Sequence, residues 1–277
     1  MRKILSLVLS VLVMFSLCGC KGKKQDDRLK VVCTVFLQYD FVREIAGDLV
    51  DLEMLLPFSV ESHDFSFDSL SVVELKKIAS ADLFIYIGGP SDKGWVEELE
   101  TTVKNNSLEY LPIIEATEIL NESLSDSMEH NDAHSDHHHS DSENIDEHIW
   151  TSPKRAIEIV EFLENKLCEA DAKNSEIYKS NAKAYKEKLL NADKALLKIE
   201  KSGKKLIFAD RFAFRYLCYD YGFSYDAAFP GCSAATDPSV SQIASLTKSA
   251  RDSKATSIFY LENSVMQRRL CFIRHIL

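Results

Sequence analysis

The sequence predicts an α/β protein of two lobes, each a small parallel sheet with flanking helices, joined by a long backbone helix. Three observations point there. Residues 29 to 89 alternate short β-branched runs with segments of helical spacing, the pattern that builds parallel sheets. Residues 174 to 203 run from Asn174 to Gly203 with no internal breaker. From residue 204 the strand-and-helix alternation begins again.

Taken in order, the chain opens with Arg2 and Lys3, an apolar run from Ile4 to Leu17, and Leu17-Cys18-Gly19-Cys20. That order of charge, apolar run and small residue reads as a secretion signal over residues 1–19. The apolar run is shorter than the roughly 20 residues a bilayer span needs. Leu-x-Gly-Cys resembles a bacterial lipobox, which implies cleavage before Cys20 and acylation of that cysteine, so that a membrane is reached through a lipid anchor. Each buried acyl CH₂ contributes about 0.8 kcal/mol to such anchoring. Residues 20–28 contain almost no apolar side chain and read as a flexible stalk.

The first lobe is expected over 29–152. "LKVVCTVF" reads as a strand, "YDFVREIAGD" as a helix stopped by Gly47, and "VDLEMLLP" as a second strand closed by Pro57. "SLSVVELKKIASA" has helical spacing, and "DLFIYIGG" is a third strand. A histidine-rich loop, 121–145, interrupts the lobe before "DEHIWTSP". Residues 153–203 form a helical segment. Pro153 suits a first helical turn, and the run from a capping Asn174 to Gly203 would reach on the order of 40 Å at 1.5 Å per residue. The second lobe, 204–277, begins with the strand "KKLIFAD", the helix "RFAFRYLCYDYG" and the extended "SYDAAFPG". A helix opened by Asp237 and Pro238 and the strand "ATSIFYLEN" follow.

Composition narrows the function classes. With 43 acidic and 33 basic residues the net charge is −10, a surface that repels nucleic acid and attracts cations. Of seven cysteines, Cys18 lies in the leader and Cys20 is the expected acylation site; the five that remain are odd in number and scattered, which is no disulfide framework. A hydrophobic content of 45% supports real cores.

Ligands of open α/β sheets bind at the carboxyl ends of strands. His63, Asp210 and Glu262 each follow a predicted strand, and His148 stands just before a helix. Imidazole and carboxylate at such places could meet around a metal in a cleft between the lobes. Asp210 could equally cap the helix expected after it, and Cys232 is a further thiolate candidate. His130, His134, His137, His138 and His139 lie among Asp, Ser and Asn with no apolar residue to fix them. Ordering each loop residue costs on the order of 1–2 kcal/mol. These five are therefore expected to collect metal weakly, whereas His148, flanked by Ile149, Trp150 and a helix, is expected to hold it.

"VVCTVFLQYDFVREIAGDLVDLEMLLPFSVESHDFSFDSLSVVELKKIASADLFIYIGG" resembles the amino-terminal lobe of the metal-binding receptors of bacterial zinc and manganese ABC importers. "DEHIWTSPKRA" is similar to that family's Asp-x-His-x-Trp segment, and "NSEIYKSNAKAYKEKL" to its long helix; the likeness covers residues 31 to about 262. The resemblance implies that His63 and His148 are metal ligands, that the protein is a monomeric, non-enzymatic receptor, and that its partners are an ABC permease and its ATPase at the cell membrane's outer face. Many relatives carry His-Asp-Ala-Phe after the first strand of the second lobe. Aligning Ala213 and Phe214 puts Arg211 in the histidine's place, and arginine has no lone pair to offer, so Asp210 is the expected third ligand. The last residues, "LENSVMQRRLCFIRHIL", depart from the family and suggest a truncated or frameshifted end. Two imidazoles and an oxygen suit Zn²⁺; a carboxylate shifts preference toward Mn²⁺ and the histidine-rich loop shifts it back, leaving zinc favoured. A surface adhesin or metal buffer is the alternative without transport. A metal-dependent hydrolase is disfavoured by the lack of His-Glu-x-x-His or a comparable cluster.

Overall fold

The structure, a computed structural model, describes residues 27–57, 60, 62–120, 145–229 and 239–260. The leader, Cys20, the five histidines from His130 to His139, Cys232, Glu262 and the divergent end lie outside the described residues. So do Asp237 and Pro238.

Four parallel strands form the first sheet: β1 (Leu29–Cys33), β2 (Val50–Met54), β3 (Leu83–Tyr86) and β4 (Glu109–Pro112), in the spatial order β2-β1-β3-β4. Val31 pairs with Leu52 on one side and Leu83 on the other. Alternation along the central strands sends side chains to two separate cores. Val31, Cys33, Leu83 and Ile85 face α1 (Phe36–Ala46) and two later helices, while Val32 and Phe84 face α2 (Val72–Ala79) and α3 (Lys93–Thr102). Being covered on both faces, the central strands read as apolar runs. α2 starts where Ser71 and Glu74 cap each other: Ser71 Oγ accepts from Glu74 N (3.2 Å) and Glu74 Oε2 from Ser71 N (2.7 Å). α3 and β4 extend the strand-helix-strand-helix-strand series expected for this lobe. Their signals are the spacing of Trp95, Val96 and Leu99, all buried, and the apolar run around Leu111.

α4 (Pro153–Ala170) buries Ala156, Ile159, Val160, Leu163 and Leu167, an i, i+3, i+4 stripe that lies on the first sheet's helix layer. α5 (Ser175–Leu197) is the long helix, 23 residues or about 35 Å. It ends six residues before Gly203, which adopts φ +67° in the following turn. Asn174 stands at its start, but its amide donates to Asp171 Oδ2 (2.7 Å) and does not cap the helix. The first half of α5 packs on α1, with Asn181 donating to Ile45 O (2.9 Å) and Tyr185 against Phe41; near its other end Asp193 accepts from Tyr221 in the second lobe.

The second lobe has β5 (Lys205–Phe208) parallel to β6 (Ser224–Ala227), and a parallel bridge from Phe208 to Phe259 where the third strand was expected. Its helices are α6 (Arg215–Tyr221) and α7 (Val240–Asp252). α6 begins four residues later than the sequence suggested. Phe212 and Phe214 instead stack around Phe208, at ring separations of 5.0 and 5.5 Å, which holds 211–214 out of helical conformation. α6 closes on Gly222 in the left-handed conformation, as expected. α7 opens with a Ser239–Gln242 capping box. Cys33, Cys168 and Cys218 are free thiols, and among the described residues no helix is long and apolar enough to cross a membrane.

Candidate metal centre

The strand order β2-β1-β3-β4 reverses direction between β1 and β3, and a crevice outside the carboxyl ends of the strands is expected there. Two loops converge near that point. One follows β2 and carries His63 in the short 3-10 turn Ser62–Asp64. The other, 145–148, precedes the turn Ile149–Thr151 and α4. His63, Glu147 and His148 each offer a donor atom, and the three atoms lie within 4.8 Å of one another. The His63 and His148 rings are 5.8 Å apart.

His148 is the more rigidly held. Its Nδ1 lies 2.7 Å from Asp146 Oδ1, and the same oxygen accepts from the His148 backbone amide at 2.9 Å. A carboxylate acceptor at Nδ1 fixes the tautomer with the proton there and leaves the Nε2 lone pair for a metal, the usual outer-shell arrangement for a ligating imidazole. Trp150 packs beside the ring, and fully buried Ile149 pins the turn. His63 is the exposed member, its side chain 28% accessible.

Glu147 is 3% exposed. Its Oε2 accepts from Ser91 N (3.0 Å) in the loop after β3. Its Oε1 has no hydrogen-bond partner and lies 3.4 Å from His63 Nδ1. The space it occupies depends on Gly89, where a Cβ would fall 2.6 Å from the Cβ of Glu147. In the same loop Asp92 accepts from the amides of Ile87 (2.6 Å) and Gly88 (2.8 Å). Burial pushes the Asp92 carboxyl up to about 7 against the lowering pull of those amides, and the Glu147 charge adds to the rise.

His63 and His148, expected from sequence as ligands, thus lie together in one group of possible donors. Asp210 is not in that group of three. It is buried, its Oδ1 accepts from Arg211 N (2.8 Å), and it lines an apolar cavity of about 350 Å³ with Phe208, Phe214 and Phe259. Nor does it cap a helix, since α6 starts at Arg215 with Phe214 in the cap position. The sequence marks Glu147 only weakly, although it adjoins His148. Consecutive residues of a strand or helix seldom face one point, and the signal was only the acidic pair preceding His148. His148 has φ −83° and ψ 43°, outside both regular conformations, which lets neighbours turn together.

The second lobe reaches this loop through α6. Tyr216 OH donates to Asp146 O (2.7 Å) and accepts from Leu120 N (3.0 Å), and Asp146 N donates to Leu120 O (3.4 Å). Residues 120 and 146, which bracket the histidine-rich stretch, are therefore fastened to each other beside His148. Arg155, stacked 4.6 Å from the Tyr216 ring, makes a bidentate ion pair with Asp220 (2.8 and 3.1 Å).

Comparison with known proteins gives the chain's family. The family described as zinc-uptake complex component A, periplasmic (ZnuA), has a model that matches residues 31–270. The chain is 30% identical over 266 residues to the zinc-binding lipoprotein AdcA of Streptococcus pneumoniae, covering 95% of this chain and 51% of that protein. It is 28% identical over 264 residues to the high-affinity zinc uptake system protein ZnuA of Bacillus subtilis, covering 93% and 80%. The crystal structure of the Zn(II)-bound ZnuA-like domain of S. pneumoniae AdcA aligns with a TM-score of 0.66 at 28% identity, over 88% of this chain and 82% of that one. The chain spans about half the length of the AdcA proteins it matches.

Proposed function

Because this chain belongs to the zinc-uptake complex component A family, we propose that it captures a divalent metal ion outside the cytoplasm and passes it to the permease and ATPase of an ABC importer. Zinc is the cargo. The observation that carries this reading is the meeting of His63 and His148 from two separate loops, with Asp146 holding His148 in the ligating tautomer. Imidazole donors suit zinc, and zinc outranks manganese at most nitrogen and oxygen sites. The names of the relatives, a zinc-binding lipoprotein and a zinc uptake protein, support the same ion and an anchored, extracytoplasmic location. Anchoring through acylated Cys20 follows from the leader sequence, and the protein acts as a monomer.

His130, His134, His137, His138 and His139 act as an auxiliary, weaker collector. The support for this is positional: the segment that carries them leaves at Leu120 and returns at Asp146, two residues from His148. Zinc titration of the full-length protein by calorimetry tests the scheme. His63→Ala and His148→Ala should each weaken the tight site by more than a hundredfold, beyond the roughly 10–100-fold that an outer-shell partner contributes. Deleting 128–141 should remove weak sites and keep the tight one. Loss of the tight site with that deletion would refute the division of labour.

A further inference from the structure

Two imidazoles leave a zinc ion short of the three protein donors usual in an open tetrahedral site. We propose that Glu147 is the third donor, so that, among the described residues, the first lobe and the loop leading into α4 supply three donors to the ion. The inference rests on the metal-receptor reading above and adds the donor that this reading leaves open.

The geometry of the carboxylate carries it. A buried carboxylate oxygen is costly to leave without a partner. Glu147 Oε1 is buried with no hydrogen bond, while its twin Oε2 is anchored on Ser91 N. The 3.4 Å from Oε1 to His63 Nδ1 is longer than a normal N–H···O contact. It matches the edge of a zinc tetrahedron: metal–donor bonds of about 2.0–2.1 Å set neighbouring donors about 3.3–3.4 Å apart. The third donor, on His148, lies within 4.8 Å of both. Contraction by up to about 1.5 Å would complete the triangle, and His63, on an exposed turn after β2, is the side chain placed to supply it. The carboxylate does not need to move. Ser91 holds one oxygen, and the absence of a side chain on Gly89 makes room for it. One carboxylate also offsets half the charge of a divalent cation where neutral imidazoles offset none.

Glu147→Gln isolates the donor, because an amide oxygen can still accept from Ser91 N while the second oxygen becomes an NH₂ group without a usable lone pair. In full-length protein this variant should melt as the metal-free wild type does, yet bind zinc roughly 10–1,000-fold more weakly. Its cobalt(II) derivative should show a shifted visible spectrum, which a merely structural role would not produce. Gly89→Ala, which crowds the carboxylate without deleting it, should also weaken zinc binding, and Glu147→Asp should recover part of the affinity. If Glu147→Gln binds zinc and cobalt as the wild type does while His63→Ala does not, Glu147 is only a charge partner of His63; the donor assignment falls and the receptor reading stands. If His63→Ala and His148→Ala bind zinc normally, both fall together.

Discussion

The two lobes repeat one sheet-and-helix plan with different depths of packing. In the first, β1 and β3 are covered on both faces, and two cores of ten or more buried residues lie on either side. In the second, among the described residues, β5 is flanked by clusters of five and three. Phe259 and Tyr260 are each nearly half exposed, Val240 is 85% exposed, and Phe208 borders the apolar cavity. Among the described residues, burial at about 25 cal/mol per Å² of apolar surface favours the first lobe. The metal-ligand candidates sit on that deeper lobe, at the carboxyl side of strands that cannot shift register without exchanging the side chains of two packed cores. The shallower lobe contributes to the site through contacts that hold the loop from outside. Precision at the site and depth of packing thus go together.

The largest test of that contrast is the strut between the lobes. Arg155 and Asp220 are both nearly inaccessible, and Arg155 also donates to Thr117 Oγ1 (3.2 Å) and to Glu118 O. Arg155→Met leaves a buried carboxylate uncompensated, which costs about 3–5 kcal/mol. For a chain of this size each kcal/mol lowers the melting temperature by roughly 2–4 °C, so a fall of about 10 °C is expected. Lys188→Met, which removes the exposed ion pair with Glu44, should change stability by less than about 1 kcal/mol. Hydrogen exchange would show where the loss falls. Protection should drop first in β5, β6 and α6; an equal drop in β1 and β3 would show that the lobes are one cooperative unit and break the contrast.

A smaller effect is expected from Tyr216→Phe. The change keeps the ring under Arg155 and removes the hydroxyl that joins Leu120 N to Asp146 O. Leaving those two groups unsatisfied costs roughly 1–3 kcal/mol. Because Tyr216 acts on His148 only through Asp146, zinc affinity should fall by less than the roughly 10–100-fold that removing an outer-shell partner costs. Asp146→Ala, which removes that partner itself, is the control. If Tyr216→Phe weakens zinc binding as much as Asp146→Ala does, the second lobe governs the site more closely than its packing suggests.

What the sequence made legible follows the same division. Strands buried on both faces announce themselves as β-branched runs, and the helical spacing of "SLSVVELKKIASA" is met by α2. His63 and His148 could be read as candidates because each stands in a short segment whose neighbours are distinctive. Glu147 could not, because its role depends on an irregular backbone at His148 and on an empty space at Gly89, neither of which has a periodic signature. α6 was misplaced because local spacing gave a helix from residue 211, whereas packing of Phe212 and Phe214 around Phe208 decided otherwise. The extent of α5 was also overestimated. Past Leu197 the chain tightens, with the amides of Lys198 and Ile199 closing on the carbonyls of Ala195 and Leu196, and Gly203 takes positive φ in the turn that follows.

The smallest expected effect is at Asp210, the ligand that sequence reasoning placed in the second lobe. Its position at the end of β5 is the one the strand-end rule favours, and its side chain is buried, so a role in binding was a fair expectation. Yet its Oδ1 accepts the amide of the next residue, its surroundings are aromatic, and it is absent from the group formed by His63, Glu147 and His148. Asp210→Asn keeps an acceptor for Arg211 N and removes the charge. If the first lobe and its adjoining loop hold the ion, this variant should bind zinc within about threefold of the wild type, less than the roughly 10–100-fold that removing even an outer-shell partner costs. A loss of affinity comparable to that of His63→Ala would mean that the lobes close on the metal with Asp210 moving to it. The ion would then be shared across the cleft, and the contrast between a holding lobe and a supporting lobe would have to be abandoned.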